Sequence, residues 1–167
     1  MNAKKTYLFI TEYVLLFALA SFFGWLYEMG CVFVIYGYYF DRGVLHLPMC
    51  PIYGVGILLL MLVLKRVNHP IGIFLGSFII ATGVELGASY LLEFGFHRVL
   101  WSYEGWPGSF QDRISLVSSI IFGLMATIFI KVVKPPIDKL FRSGHAVFAA
   151  TTVVLLFISA VVWEYIH

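Results

Sequence analysis

The sequence predicts an all-α, polytopic membrane protein, and three observations support this fold class. Hydrophobic residues make up 61% of the 167-residue chain, and the mean hydropathy is +0.93. Charged residues make up only 12%, whereas a soluble domain has about 25% to cover its surface. The apolar residues also fall into long stretches that carry few charges, as in membrane-spanning helices. Together these observations exclude a water-soluble enzyme and a disordered chain, and they name the lipid bilayer as the first partner.

The charged residues and cysteines exclude further classes. The net charge is only +2, and no Lys/Arg cluster is dense enough to grip a phosphate backbone, so we expect no nucleic acid partner. The two cysteines, Cys31 and Cys50, form neither a disulfide framework nor a zinc pattern. No His or Cys spacing matches a metal site, and the sequence has no nucleotide-binding or hydrolase motif. We therefore expect no metal and no cofactor.

Five apolar stretches predict five transmembrane helices in a single domain that covers residues 1–167. They run over about 13–36, 51–64, 71–94, 114–133 and 146–166. The basic residues predict their orientation, because cytoplasmic segments are enriched in Lys and Arg. Eight of the eleven basic residues lie in the N-terminus and in the connections around 65–70 and 131–145. The other three lie in the connections around 38–50 and 95–113. This distribution predicts a multi-pass membrane protein with a cytoplasmic N-terminus and an external C-terminus.

The second predicted span is short, and two start positions remain open. If the helix begins at Pro51 and ends at Leu64, it measures roughly 21 Å against a hydrocarbon core of about 30 Å. It would then begin below the outer surface and leave a polar, outward-facing pocket above its N-terminus, which could attract an anion. The alternative is a helix that begins near Leu45 and spans the membrane fully.

The third predicted span carries a packing face and a polar face. Glycines at positions 72, 76, 83 and 87 share one stripe, which favours close approach of another helix. Thr82, Glu85, Ser89 and Glu93 share a different face. A carboxylate in mid-membrane costs about 2.5–3.5 kcal/mol on insertion scales, so this face should be turned away from lipid. It serves either a functional site or packing alone, with neighbouring hydroxyls as its partners.

Glu28 in the first span lies at the same predicted depth as Glu85. Counted from the inner ends of their spans, the two carboxylates lie roughly 22 Å and 21 Å along the helix. Carboxylates at matched depth usually share a proton, bind a cation or pair with arginine. The nearest arginines are Arg42 and Arg113, both on outer connections. The same connections carry Trp101 and Tyr103, which either line the pocket or anchor the chain at the membrane interface.

Several short strings resemble those of a known family. They are Gly24-Trp25-Leu26-Tyr27-Glu28, Asp41-Arg42-Gly43, Cys50-Pro51-Ile52-Tyr53-Gly54, Glu85 and Trp101-Ser102-Tyr103. Together they resemble the bacterial family catalogued as ABC-transporter type IV, or CmpB-like, permeases. The likeness covers roughly residues 22–123. It departs from the family pattern at Asp41 and Ser102, where that family favours Asn and Asp, and at 109–112, where it tends to have an Asn. The resemblance implies a transport function powered by a separate ATPase.

The leading hypothesis is a permease-like subunit that binds a small polar or lipid-linked ligand in the outward-facing pocket. The residues expected to line it are Glu28, Arg42, Glu85, Trp101, Tyr103 and Arg113. Its partners would be a separate ATPase subunit or further copies of the same chain. The first alternative is a membrane-embedded transferase or hydrolase that acts on outer-leaflet lipid, with a glutamate as general base and an arginine as anion stabiliser. The second alternative is a structural membrane subunit.

Overall fold

The computed structural model describes residues 3–38 and 47–142, together with isolated positions between 148 and 162. Its helices are α1 (Ala3–Tyr36), α2 (Pro51–Val63), α3 (Pro70–Phe96), α4 (Leu116–Ile128) and α5 (Lys134–Arg142). A π-helical turn, Phe129–Val133, joins α4 to α5. Within the described residues, β pairing is limited to one isolated bridge between Phe110 and Ile114. The prediction of an all-α fold is confirmed.

Among the residues that the structure describes, three helical segments are long and apolar enough to cross a membrane. They are Thr6–Val34, Pro70–Phe96 and Leu116–Phe141, and α2 is a shorter apolar helix. Four of the five predicted spans therefore correspond to helices. The fifth, at 146–166, falls mostly outside the described residues. Helix α1 begins earlier than the predicted 13–36, because the polar residues before Tyr13 include no proline or glycine that would end a helix.

The helix of the fourth predicted span continues beyond Val133 to Arg142, whereas the end of the span itself remains a prediction. Pro135 and Pro136 lack an N–H group and would clash with the preceding turn of a regular α-helix. The wider π-helical turn lies directly before them and absorbs this mismatch. Beyond the prolines, α5 buries Ile137 and Phe141 and packs against α1. Part of the basic connection predicted at 131–145 is therefore helical.

The chain divides into two compact units. The first comprises Met1–Leu58 and Val133–His167, and the second comprises Leu59–Val132. A single domain over 1–167 remains a prediction.

In the first unit, α1 and the start of α2 pack with almost no space between them. The ring of Tyr53 lies directly against Gly24, so closely that a Cβ atom there would overlap it. Gly54 lies in the same way against Ser21 and the ring of Phe17. The Cys50 N–H donates to the Ser21 carbonyl at 2.9 Å. These contacts bring together two of the strings noted in the sequence, one ending at Glu28 and the other at Gly54.

This packing places the start of α2 beside the middle of α1. Ser21 lies near the centre of the apolar segment Thr6–Val34, and the helix that begins one residue after Cys50 has 13 residues. The residues before it, Leu47–Cys50, are not helical, which excludes a helix that begins near Leu45. Helix α2 is thus roughly 20 Å long, too short to cross a hydrocarbon core of about 30 Å.

In the second unit, α3 and α4 pack side by side. Gly123 of α4 lies against the ring of Phe74, and Thr82 donates a hydrogen bond to Ser119 at 2.7 Å. The glycine stripe of α3 contributes less than the sequence predicts. Gly72 and Gly76 lie against Val67 and Leu64, respectively. Gly83 and Gly87 are exposed, and nothing lies within 4 Å of the place that a Cβ atom would take.

The α1–α2 contact predicts opposite effects for two glycines of the same helix. Gly24→Ala should lower the free energy of unfolding by about 1–3 kcal/mol, because the methyl group overlaps the inner atoms of Tyr53. Gly30→Ala is the matched control. Its position is exposed with nothing within 4 Å, so alanine should be neutral or stabilise the helix by up to about 1 kcal/mol. Thermal unfolding in detergent measures both, and an equally stable Gly24→Ala variant would contradict this packing.

Candidate functional site

The polar face of α3 is covered by the segment that connects α3 to α4 and by the first turn of α4. Each of its four polar side chains has a partner there, so the predicted separation of this face from lipid is explained. The partners are Ser119 for Thr82, Tyr103 and Ser118 for Glu85, and Arg113 for both Ser89 and Glu93. The arrangement is a continuous polar network along about three turns of an apolar helix.

Glu85 is the most enclosed member of this network. Its side chain is only 7% exposed, and Oε1 accepts a hydrogen bond of 2.5 Å from the Tyr103 hydroxyl. The Ser118 hydroxyl lies 3.5 Å from Oε2, a long and weak contact. Ser118 also forms a reciprocal capping box with Ser115 at the start of α4. The carboxylate is therefore close to a helix N-terminus, whose partial positive charge favours an anion.

Arg113 is held at three points of α3. One guanidinium nitrogen donates to the Ser89 hydroxyl at 2.8 Å, and the other forms an ion pair with Glu93. The guanidinium carbon lies 4.3 Å from the centre of the Tyr90 ring, in a cation–π arrangement. The sequence suggested Arg113 as a partner for Glu28 or Glu85, whereas the carboxylate with which it forms an ion pair is Glu93.

A tight turn positions Arg113. Gln111 and Asp112 both adopt left-handed backbone angles, with φ of 52° and 55°, between the bridged residues Phe110 and Ile114. Such angles cost non-glycine residues roughly 1–2 kcal/mol each, so other contacts must hold the turn. The side chain of Gln111 accepts from the Tyr90 hydroxyl, and the Asp112 carbonyl accepts from the Tyr103 N–H at 2.8 Å.

The same loop gathers three of the predicted site residues. The Trp101 indole N–H donates to the Arg113 carbonyl at 3.0 Å, and Tyr103 packs edge-on against Trp106. Trp101, Tyr103 and Arg113 are thus brought together over the face of α3 that carries Glu85. The cleft beside them, lined by Ser89, Arg98 and Trp101 among others, has no space for a water molecule. Within the described residues, no three His, Cys, Asp or Glu side chains are grouped as a metal site.

Glu28 belongs to the first unit and has a similar environment there. Its Oε1 accepts a hydrogen bond of 2.7 Å from the Tyr53 hydroxyl, and the Tyr53 ring meets Tyr27 edge-on. Each of the two nominated glutamates is therefore bound by a tyrosine hydroxyl from a later segment of its own unit. Arg42 lies outside the described residues, and the approach of Glu28 to Glu85 remains a prediction.

The sequence reasoning did not nominate several residues that complete these networks. They are Tyr53, Ser89, Tyr90, Glu93 and Ser118. The sequence contained a signal for two of them, because Ser89 and Glu93 share the helical face of Glu85. Tyr53 stands in the string that ends at Gly54, but nothing in that string indicates a bond to Glu28. The pairing of Tyr90 with Arg113 depends on the folded loop and has no sequence signal.

The long apolar helices and the enclosed polar network define a multi-pass helical membrane protein. Comparison with protein families gives a match to the family described as "Putative ABC-transporter type IV" over residues 15–166, nearly the whole chain. The chain belongs to this family of transport-associated membrane proteins, which confirms the resemblance seen in the sequence strings. Neither the comparison with curated proteins nor that with solved structures gives a match.

Proposed function

We propose that the protein is the membrane subunit of a transport system and binds a small polar or lipid-linked ligand from the outer side of the membrane. The proposed contact residues are Glu28, Arg42, Glu85, Trp101, Tyr103 and Arg113. The observation that carries this proposal is the network around Glu85, in which charged groups of α3 are covered by a single loop. Membership in an ABC-transporter family supports the transport role.

The charges in this network favour a function beyond packing. Thr82 and Ser119 demonstrate that two helices of this chain can be joined by hydroxyl groups alone. Glu85, Glu93 and Arg113 are more costly in a membrane segment, where ionisable residues usually mark substrate or ion pathways. A structural subunit would need none of the three.

The engagement of Arg113 favours ligand binding over the alternative enzyme. A transferase or hydrolase needs a cation directed at a reacting phosphate or oxyanion. The guanidinium of Arg113 is instead directed at Glu93, Ser89 and the ring of Tyr90. A transport subunit needs no such preformed catalytic cation, but it does need an energy source, which we assign to a separate ATPase subunit.

The proposal includes a topology of five spans in a bacterial plasma membrane, with the N-terminus inside and the C-terminus outside. The distribution of Lys and Arg supports it. Because α2 alone is too short to cross the hydrocarbon core, the proposed second crossing consists of α2 and the non-helical segment that precedes it. Reporter fusions at His167 test this topology. The expected result is activity of a reporter that requires export, whereas activity only of a cytoplasmic reporter would contradict it.

The ligand-binding role predicts that Glu28→Gln and Glu85→Gln fold but lose the ligand. Native mass spectrometry of the detergent-purified protein should detect a bound molecule on the wild type and not on either variant. Their melting temperatures should stay near that of the wild type, because the amide oxygen of Gln still accepts from Tyr53 or Tyr103.

Glu104→Gln is the matched control, since Glu104 is an exposed glutamate of the same loop. It should keep the bound molecule. An equal amount of bound molecule on all four proteins, or none on the wild type, would contradict the proposed site.

A further inference from the structure

We infer that Ser89, Tyr90 and Glu93 form a binding site for an organic cation, and that Arg113 is its built-in occupant. This inference rests on the proposed function and names the ligand as one that carries a guanidinium or alkylammonium group. It gives Arg113 the role of a displaceable competitor in place of that of a contact residue. The site lies on one helix, whereas the cation that fills it comes from a loop. The loop that carries Arg113 can therefore move away from α3 while the site on the helix stays intact.

The three contacts match the chemistry of a guanidinium or alkylammonium group. Glu93 supplies a carboxylate, Ser89 supplies a hydroxyl acceptor, and Tyr90 presents the face of an aromatic ring. All three lie within five consecutive positions of α3, so the helix itself holds them in place. The Glu93 side chain is 37% exposed, which leaves the site open to a cation from outside.

The loop that delivers Arg113 is held in a costly conformation. Gln111 and Asp112 adopt left-handed angles; aspartate is among the residues that tolerate such angles, so the strain falls mainly on Gln111. The contact of Arg113 with α3 must compensate this strain. A free cation that takes the place of Arg113 would let the turn relax. The strain released in this way would offset part of the energy lost when the contacts of Arg113 with α3 break.

Release of Arg113 would also uncover Glu85. The Arg113 carbonyl binds Trp101, and the Asp112 carbonyl binds the backbone of Tyr103, whose hydroxyl covers Glu85. Movement of this turn therefore pulls on both aromatic residues. Binding of a cation at Glu93 would be coupled to opening of the loop over the enclosed carboxylate of Glu85, about two turns away on the same face of α3.

Displacement of the loop can be measured in the full-length chain. In a background of Cys31→Ser and Cys50→Ala, an environment-sensitive dye is attached through Ser102→Cys, at an exposed position between Trp101 and Tyr103. The probe is methylguanidinium chloride, with sodium chloride at the same ionic strength as reference. We expect a saturable fluorescence change with methylguanidinium alone, its loss in Glu93→Gln, and an unchanged response in Glu104→Gln. Glu104 is an exposed glutamate of the same loop and serves as the matched control.

A second measurement separates an occupant from a structural clamp. Without the internal competitor, Arg113→Ala should bind methylguanidinium about tenfold more tightly than the wild type, as measured from the shift of its melting temperature. Arg113→Gln replaces it if the alanine variant does not fold. If Arg113 were only a structural clamp, methylguanidinium would stabilise these variants but would not release the loop in the wild type. That result would overturn the inference, as would equal affinity of the wild type and the Arg113 variant for methylguanidinium.

The outcome also separates this inference from the proposed function. A saturable methylguanidinium response in a protein that copurifies with no ligand supports the cation site and contradicts the proposed function. A copurified ligand without a cationic group, together with no methylguanidinium response, overturns the cation site alone.

Discussion

Polar groups inside a membrane-spanning helix must find partners within the protein, because lipid offers none. In this chain the requirement falls most heavily on α3, which places Thr82, Glu85, Ser89 and Glu93 on one face of an apolar helix. That requirement explains the arrangement of the second unit. The α3–α4 connection folds back over α3, and α4 begins where its capping serines lie beside Glu85. Helix packing further along, at Phe74 and Gly123, needs only small and apolar residues.

The first unit meets the same requirement by other means. Glu28 is bound by Tyr53, and the Tyr53 ring reaches it because Gly24 leaves space on α1. The start of α2 lies beside the middle of α1, so the non-helical residues Leu47–Cys50 lie within the apolar length of α1. Irregular backbone at such depth is tolerated where protein covers it or where it lines a water-filled cavity. The depth of this segment is therefore compatible with an outward-facing site, while a separate network in the second unit holds the other glutamate.

The features that depend on local pattern could be predicted from the sequence. The polar face of α3 follows from residue spacing, whereas the sequence left the start of α2 open between Pro51 and a position near Leu45. Features that depend on folded loops could not. Glutamine at 111 gives no sign of a left-handed turn, so the pairing of Arg113 with Glu93 and Tyr90 had no signal. The continuation of this fourth-span helix to Arg142 has no signal in the sequence, because two prolines usually end a helix, whereas here a π-helical turn accommodates them.

The central claim is that the loop over α3 is coupled to Glu85 through the Tyr103 hydroxyl. A double-mutant cycle with Tyr103→Phe and Glu85→Met tests it most directly, because Phe removes the donor and Met removes the acceptor at similar volume. The unfolding free energies of the four proteins in detergent micelles should give a coupling of about 0.6–1.7 kcal/mol, the range found for hydrogen bonds between membrane helices. Additive effects of the two substitutions would contradict the account, because Tyr103 would then cover Glu85 without stabilising it.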